Sequence, residues 1–119
     1  MKALLFLLLS AFSASAIAQI KSQVVEYKDG DVVLEGYLAY DVSLKGSRPA
    51  VLIIHEWDGL GEYVKMRAEE IARLGYVAFA IDIYGKGVRP VTMEEKSAQA
   101  GKYRGDRQLM RARAKHNVG

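Results

Sequence analysis

The sequence predicts an α/β domain: a β-hairpin, then a parallel strand–helix–strand unit, then helices. Three observations carry that reading. Ala50 to His55 is an unbroken apolar run, too short for a typical helix and rich in β-branched residues, the pattern of a strand buried on both faces of a parallel sheet. Glu62 to Leu74 follows a helical period, with Val64, Ala68, Ile71 and Ala72 on one stripe and charged residues elsewhere, and Gly75 stands where a glycine ends a helix. Tyr76 to Ile81 is a second apolar run, stopped by Asp82. Strand, helix, strand at this spacing is a right-handed βαβ unit. Its carboxyl edge carries His55-Glu56-Trp57-Asp58 and Asp82-Ile83-Tyr84, and in open α/β sheets ligands bind at that edge.

From the first residue, Met1 to Ala18 reads as a removable signal peptide. Lys2 supplies the positive start, Ala3 to Phe12 is almost purely apolar, and Ala16-Ile17-Ala18 is an A-x-A cleavage pattern before Gln19. A spanning anchor needs about 20 apolar residues, and serines at 10, 13 and 15 break this shorter run. The expectation is cleavage between Ala18 and Gln19, a periplasmic or secreted protein and no stable membrane anchor. The absence of cysteine excludes a lipid-anchored version of the signal, a disulfide framework and a thiolate metal site within these residues. Residues 19–119 are enough for one small core.

A hairpin comes next. Val24 to Lys28 and Val32 to Tyr40 flank Asp29-Gly30-Asp31, and Asp-Gly suits a tight turn. Val32, Leu34, Leu38 and Tyr40 alternate with Val33, Glu35, Tyr37 and Ala39, which suits an edge pair with one wetter face. Asp41 to Pro49 is a polar connection. After Tyr84, Gly85 to Pro90 is loop. Thr92 with Glu95 forms a capping-box pattern, opening a helix to about Tyr103, and Asp106 can cap another from Arg107 to about Lys115.

Charge divides unevenly along the chain. Gln19 to Gly85 holds 7 Lys/Arg against 11 Asp/Glu, and Lys86 to Gly119 holds 9 against 3. A basic C-terminal third invites a nucleic-acid or acidic-lipid reading, but no aromatic residues interleave as a single-strand binder requires. It reads as a solvated helix face, with no nucleic-acid partner.

Two chemistries fail at the β-strand edge. His55-Glu56 lacks a second histidine at the helical spacing of a zinc protease, where Gly59 stands. The loop Glu56-Trp57-Asp58-Gly59-Leu60-Gly61 has the wrong glycine spacing for a dinucleotide, and its two acids would repel phosphate. No metal and no cofactor is implied. An acyl-transfer site fits, because a backbone N–H after such a strand can form part of an oxyanion hole.

The blocks Leu52-Ile53-Ile54-His55-Glu56-Trp57-Asp58-Gly59-Leu60, Gly75-Tyr76-Val77-Ala78 and Asp82-Ile83-Tyr84-Gly85-Lys86-Gly87 resemble the dienelactone hydrolase family, and Tyr103-Arg104-Gly105-Asp106-Arg107 is similar to its exported branch. The likeness runs from about Val24 to Lys115. It implies the N-terminal portion of an α/β-hydrolase fold with an incomplete sheet, and hydrolysis of a small-molecule ester or lactone. By resemblance Glu56 is the acid against the nucleophile, the Trp57 N–H is the first oxyanion donor, and Tyr84 lines the pocket. Lys86 holds the place of the residue that binds a substrate carboxylate, as a point charge rather than a bidentate fork.

Plainer roles stand beside these. Glu56 suits a salt bridge at a strand end, Trp57 suits packing, and Tyr84 and Lys86 suit a loop. His55 reads as a structural histidine bonded to nearby loops. No G-x-S-x-G or G-x-C-x-G occurs, so these residues contain no nucleophile elbow. Ser97 sits in a helical context, and His116 belongs to a terminal segment unlike the family. The expectation is a hydrolase front half, inactive alone, that associates with a missing C-terminal half. The alternative is a small exported non-catalytic binding domain. Against it, two parallel strands and a hairpin cannot cover both faces of the sheet.

Overall fold

The computed structural model describes residues 16–115. The expected leader therefore lies outside the described residues except for Ala16 to Ala18, and His116 lies outside them as well. In chain order the elements are β1 (Ile20–Asp29), β2 (Val32–Asp41), β3 (Ala50–Ile54), α1 (Glu62–Arg73), β4 (Val77–Ile81), α2 (Met93–Gly105) and α3 (Arg107–Lys115). They form a four-stranded mixed sheet in the order β1-β2-β4-β3. The fold class is α/β, as the sequence predicts.

The hairpin forms with Asp29 paired to Val32, leaving Gly30 and Asp31 as its two-residue loop. Gly30 has φ 59° at the first loop position, the placement a II′ turn requires. The hairpin is not an edge pair. β2 also pairs with β4, antiparallel, with Leu38 opposite Phe79, so of the two hairpin strands β1 alone has a free outer side among the described residues. β3 and β4 are parallel neighbours with Leu52 opposite Phe79 and Ile54 opposite Ile81. Between them α1 ends as read. Gly75 takes φ 97°, and its N–H donates to the Ala72 carbonyl at 3.0 Å.

α1 lies on one face of the sheet. Ala39, Ala68, Ala72 and Ala78 are fully buried there, flanked by Tyr37, Ile53 and Ile71. Small side chains let the helix approach the strands closely. Among the described residues the opposite face is covered only at its carboxyl end, where Ile81, Ile83, Tyr84 and Tyr103 cluster with Phe79, Leu109 and Ala114.

β3 corrects the sequence reading. The strand ends at Ile54 rather than His55, and it is not buried on both faces. Leu52 is 45% exposed and Ile54 62% exposed. The reason is position: β3 has one strand neighbour among the described residues, and α2 and α3 stop short of its outer face. β4 lies inside the sheet between β2 and β3; it starts at Val77 rather than Tyr76 and buries Ala78, Ala80 and Ile81. The capping box at α2 is present, Thr92 Oγ1 accepting from the Glu95 N–H and the Glu95 carboxylate accepting from the Thr92 N–H. α2 continues past Tyr103 to Gly105, and α3 has its expected span.

Candidate active site

The loops after β3 and β4 meet at the carboxyl edge, and Asp82 builds the second of them. Its side chain is fully buried and accepts from the Tyr84 and Gly85 N–H groups at 3.2 and 3.1 Å and from the Glu35 N–H at 2.9 Å. The Asp82 N–H donates to the Tyr27 hydroxyl at 2.9 Å, and Arg89 approaches the carboxylate at 3.7 Å. A buried carboxylate held by several donors fixes a turn firmly. Here it directs the Tyr84 ring back over the first loop.

Tyr84 then joins the two loops. Its hydroxyl donates to the Trp57 carbonyl at 2.9 Å, its ring meets His55 edge-on at 4.6 Å, and it stacks on Tyr103 of α2 at 5.4 Å. Burial, and secondarily the charge of Asp58, raises the Tyr84 phenol above its ordinary value, so it stays a protonated donor. His55 Nδ1 lies 2.7 Å from the Glu56 carbonyl, and Nε2 accepts from the Ile83 N–H at 3.1 Å. That is the loop-bonding role expected of it.

A cavity of about 520 Å³ opens between these loops and the α2–α3 pair. Ile54, His55, Glu56, Trp57, Ile83 and Tyr84 line it from the sheet edge. Ala100, Tyr103 and Met110 line the helical side together with Arg104, Arg107 and Arg111. Three of the four sequence-predicted site residues, Glu56, Trp57 and Tyr84, are thus brought together. Lys86 is not. It lies outside the lining, with its ammonium paired to Glu26 of β1, a contact that raises its pKa. Its backbone N–H donates to the Val33 carbonyl, which turns this residue toward the hairpin.

Glu56 and Trp57 are both exposed at the cavity, and Lys96 lies 5.7 Å from the Trp57 ring centre. Among the described residues neither the Glu56 carboxylate nor the Trp57 N–H has a bonded partner. Nor do the described residues contain a cluster fit to hold a metal ion, or a helix long and apolar enough to cross a membrane. Ser97 is exposed on α2 and absent from the lining. The arginines are the residues that sequence reasoning missed. Their signal was the basic C-terminal third, and Arg107, Met110 and Arg111 share one side of α3 by their i, i+3, i+4 spacing.

Comparison with known proteins gives concordant results. The dienelactone hydrolase family matches residues 34–118. Two solved structures are similar: m3DLH, 33% identical with TM-score 0.77, and the dienelactone hydrolase-like promiscuous phosphotriesterase P91 from metagenomic libraries, 32% identical with TM-score 0.75. Each is matched over 82% of this chain and 40% of its own length. Among curated proteins, YghX of Escherichia coli (strain K12) is 33% identical over 72 residues, 49% of this chain and 62% of YghX. The chain therefore spans less than two thirds of each of these relatives.

Proposed function

The chain belongs to the dienelactone hydrolase family, and from that premise we propose that its cavity serves the hydrolysis of carboxylic esters or lactones. The observation that carries the reading is the convergence of Glu56, Trp57 and Tyr84 on one cavity at the carboxyl edge of β3 and β4. The Trp57 N–H, without a protein acceptor among the described residues, is the donor for the oxyanion that forms when the carbonyl is attacked. Glu56 sets the protonation of the nucleophile. Tyr84, committed to the Trp57 carbonyl, acts as a wall rather than as an acid.

The three guanidinium groups replace Lys86 in our reading of specificity. Arg104, Arg107 and Arg111 rim an otherwise largely apolar cavity, which suits an ester or lactone with an acidic substituent. The nucleophile, its acid and its histidine come from polypeptide beyond these residues, associating with the open side of β3. We also propose export, with cleavage after Ala18. The Gln19 nitrogen donates to Asp41 Oδ1 at 3.0 Å, and the ammonium created by cleavage would make that bond charge-assisted. Intact-mass analysis of secreted material checks the cut, and retention of Met1 would refute it.

Activity and binding separate the hydrolase reading from a binding domain. The purified chain should bind 4-acetoxybenzoate yet hydrolyse it no faster than a Glu56→Gln, Ser97→Ala double variant. Supplying the rest of a family fold in trans should restore turnover, and Glu56→Gln should lower it. Turnover of the chain alone that Ser97→Ala abolishes would make Ser97 the nucleophile and overturn the proposal. Binding that no complementing polypeptide converts to turnover would favour the non-catalytic alternative.

A further inference from the structure

One buried side chain ties both loops of the cavity together. The Ile83 N–H can only donate, so His55 Nε2 is its acceptor and the imidazole proton resides on Nδ1. Nδ1–H therefore donates to the Glu56 carbonyl 2.7 Å away, the shorter of two bonds to that oxygen, which also accepts from the Gly59 N–H at 3.2 Å. That carbonyl belongs to the same peptide unit as the Trp57 N–H. A trans peptide is planar, with its C=O and N–H on opposite sides. A carbonyl held against the imidazole leaves the N–H facing away from it, and the Tyr84 hydroxyl holds the next carbonyl, that of Trp57, at 2.9 Å.

We infer that His55 is a positioning residue for the oxyanion donor: through its Nδ1–H it orients the Glu56–Trp57 peptide so that the Trp57 N–H is presented to the substrate carbonyl. The inference rests on the reading of Trp57 given above. An apolar ring would fill the space but would leave the buried Ile83 N–H without its acceptor and the Glu56 carbonyl without this donor, so a side chain that both accepts and donates is needed here. Donation to the Glu56 carbonyl also polarises the peptide, which strengthens the N–H as a donor. Burial lowers the His55 pKa and keeps Nε2 unprotonated, so the Ile83 bond sets the tautomer that the Glu56 bond needs.

The test uses backbone amide NMR of the purified chain titrated with phenyl acetate, a neutral ester that offers the arginines no anion. The unsubstituted chain is compared with His55→Gln, whose amide can donate and accept, and with His55→Phe, which only fills space. The Trp57 amide proton should move downfield on ester addition in the unsubstituted chain and in His55→Gln. In His55→Phe the affinity should fall about three- to tenfold, the effect of losing one well-aligned donor. No Trp57 response in the unsubstituted chain would remove the oxyanion reading, and this inference with it. An equal response in His55→Phe would leave that reading standing and overturn the positioning role alone. A second measurement needs no variant: imidazole ¹⁵N spectra at neutral pH should place the proton on Nδ1. A proton on Nε2, or on both nitrogens, would overturn the inference even if His55→Phe fails to fold.

Discussion

The two faces of this sheet are built from similar sequence and do different work. The α1 face is closed by four fully buried alanines, with the helix pressed against β2, β3 and β4. Among the described residues the other face is covered at one end only, by aromatic residues and the α2–α3 pair, and there the cavity opens beside the exposed Leu52 and Ile54. Close packing of small residues on the first face supplies rigidity. The second face, held by a hydrogen-bonded frame of Asp82, Tyr84 and His55, leaves room for a ligand. In our proposal, stability and recognition fall on opposite sides of one sheet.

The largest expected effect lies on the closed face. Ala72→Leu adds three carbons where no space remains and should cost about 1–3 kcal/mol, read as a lower urea midpoint with an unchanged slope. The affinity for 4-acetoxybenzoate in the folded protein should not change. A neutral result would mean that α1 is not seated as tightly as its buried alanines indicate.

Much of this contrast is legible in the sequence. The stripe Val64, Ala68, Ala72 and the stop at Gly75 announce α1 and its buried face. The capping box at Thr92 announces α2, and the paired apolar runs announce β3 and β4. Strand order is not legible, because the apolar run of β3 reads the same whether its neighbours lie on one side or two. For the same reason the run cannot tell two-sided burial from the one-sided burial that β3 has. Of the cavity lining, Glu56, Trp57 and Tyr84 follow from their places at strand ends. Lys86 did not, since the turn after Asp82 aims it at Glu26 of the hairpin. The arginine rim depends on how α3 folds back beside α2, which no local pattern states.

A pH series sharpens the comparison on the open face. His55 is buried, and desolvation holds its pKa below the ordinary value, against the raising influence of its bond to the Glu56 carbonyl and of Asp82 and Asp58, and together with the lowering influence of Arg89. The unfolded chain therefore takes up the proton first. Its contribution to stability should be fully present above about pH 6.5, and should fall as the pH drops from there toward the lower folded value, then level off. Urea midpoints of the unsubstituted chain and His55→Gln across this window check it. Identical pH dependence in the two would contradict the assignment.

Surface changes on the open face should matter least to stability. Leu52→Lys with Ile54→Lys replaces two exposed apolar residues on β3, and each should shift stability by no more than about 0.5 kcal/mol. Binding of a hydrophobic dye and the tendency to aggregate should both drop, because an exposed apolar edge strand is a template for association. A large loss of stability would mean that this face is covered.

The proposed site is tested most directly by the NMR footprint of 4-acetoxybenzoate on the ¹⁵N-labelled chain. Saturable shifts are expected at Trp57, Tyr84, Tyr103, Arg104 and Arg107, none at Ala39, Ala68 or Ala72, and an affinity about tenfold weaker in Arg107→Ala, Arg111→Ala, as the loss of charge-assisted bonds implies. A footprint centred on the α1 face or on Lys86 and Glu26, or an affinity indifferent to the two arginines, would contradict it.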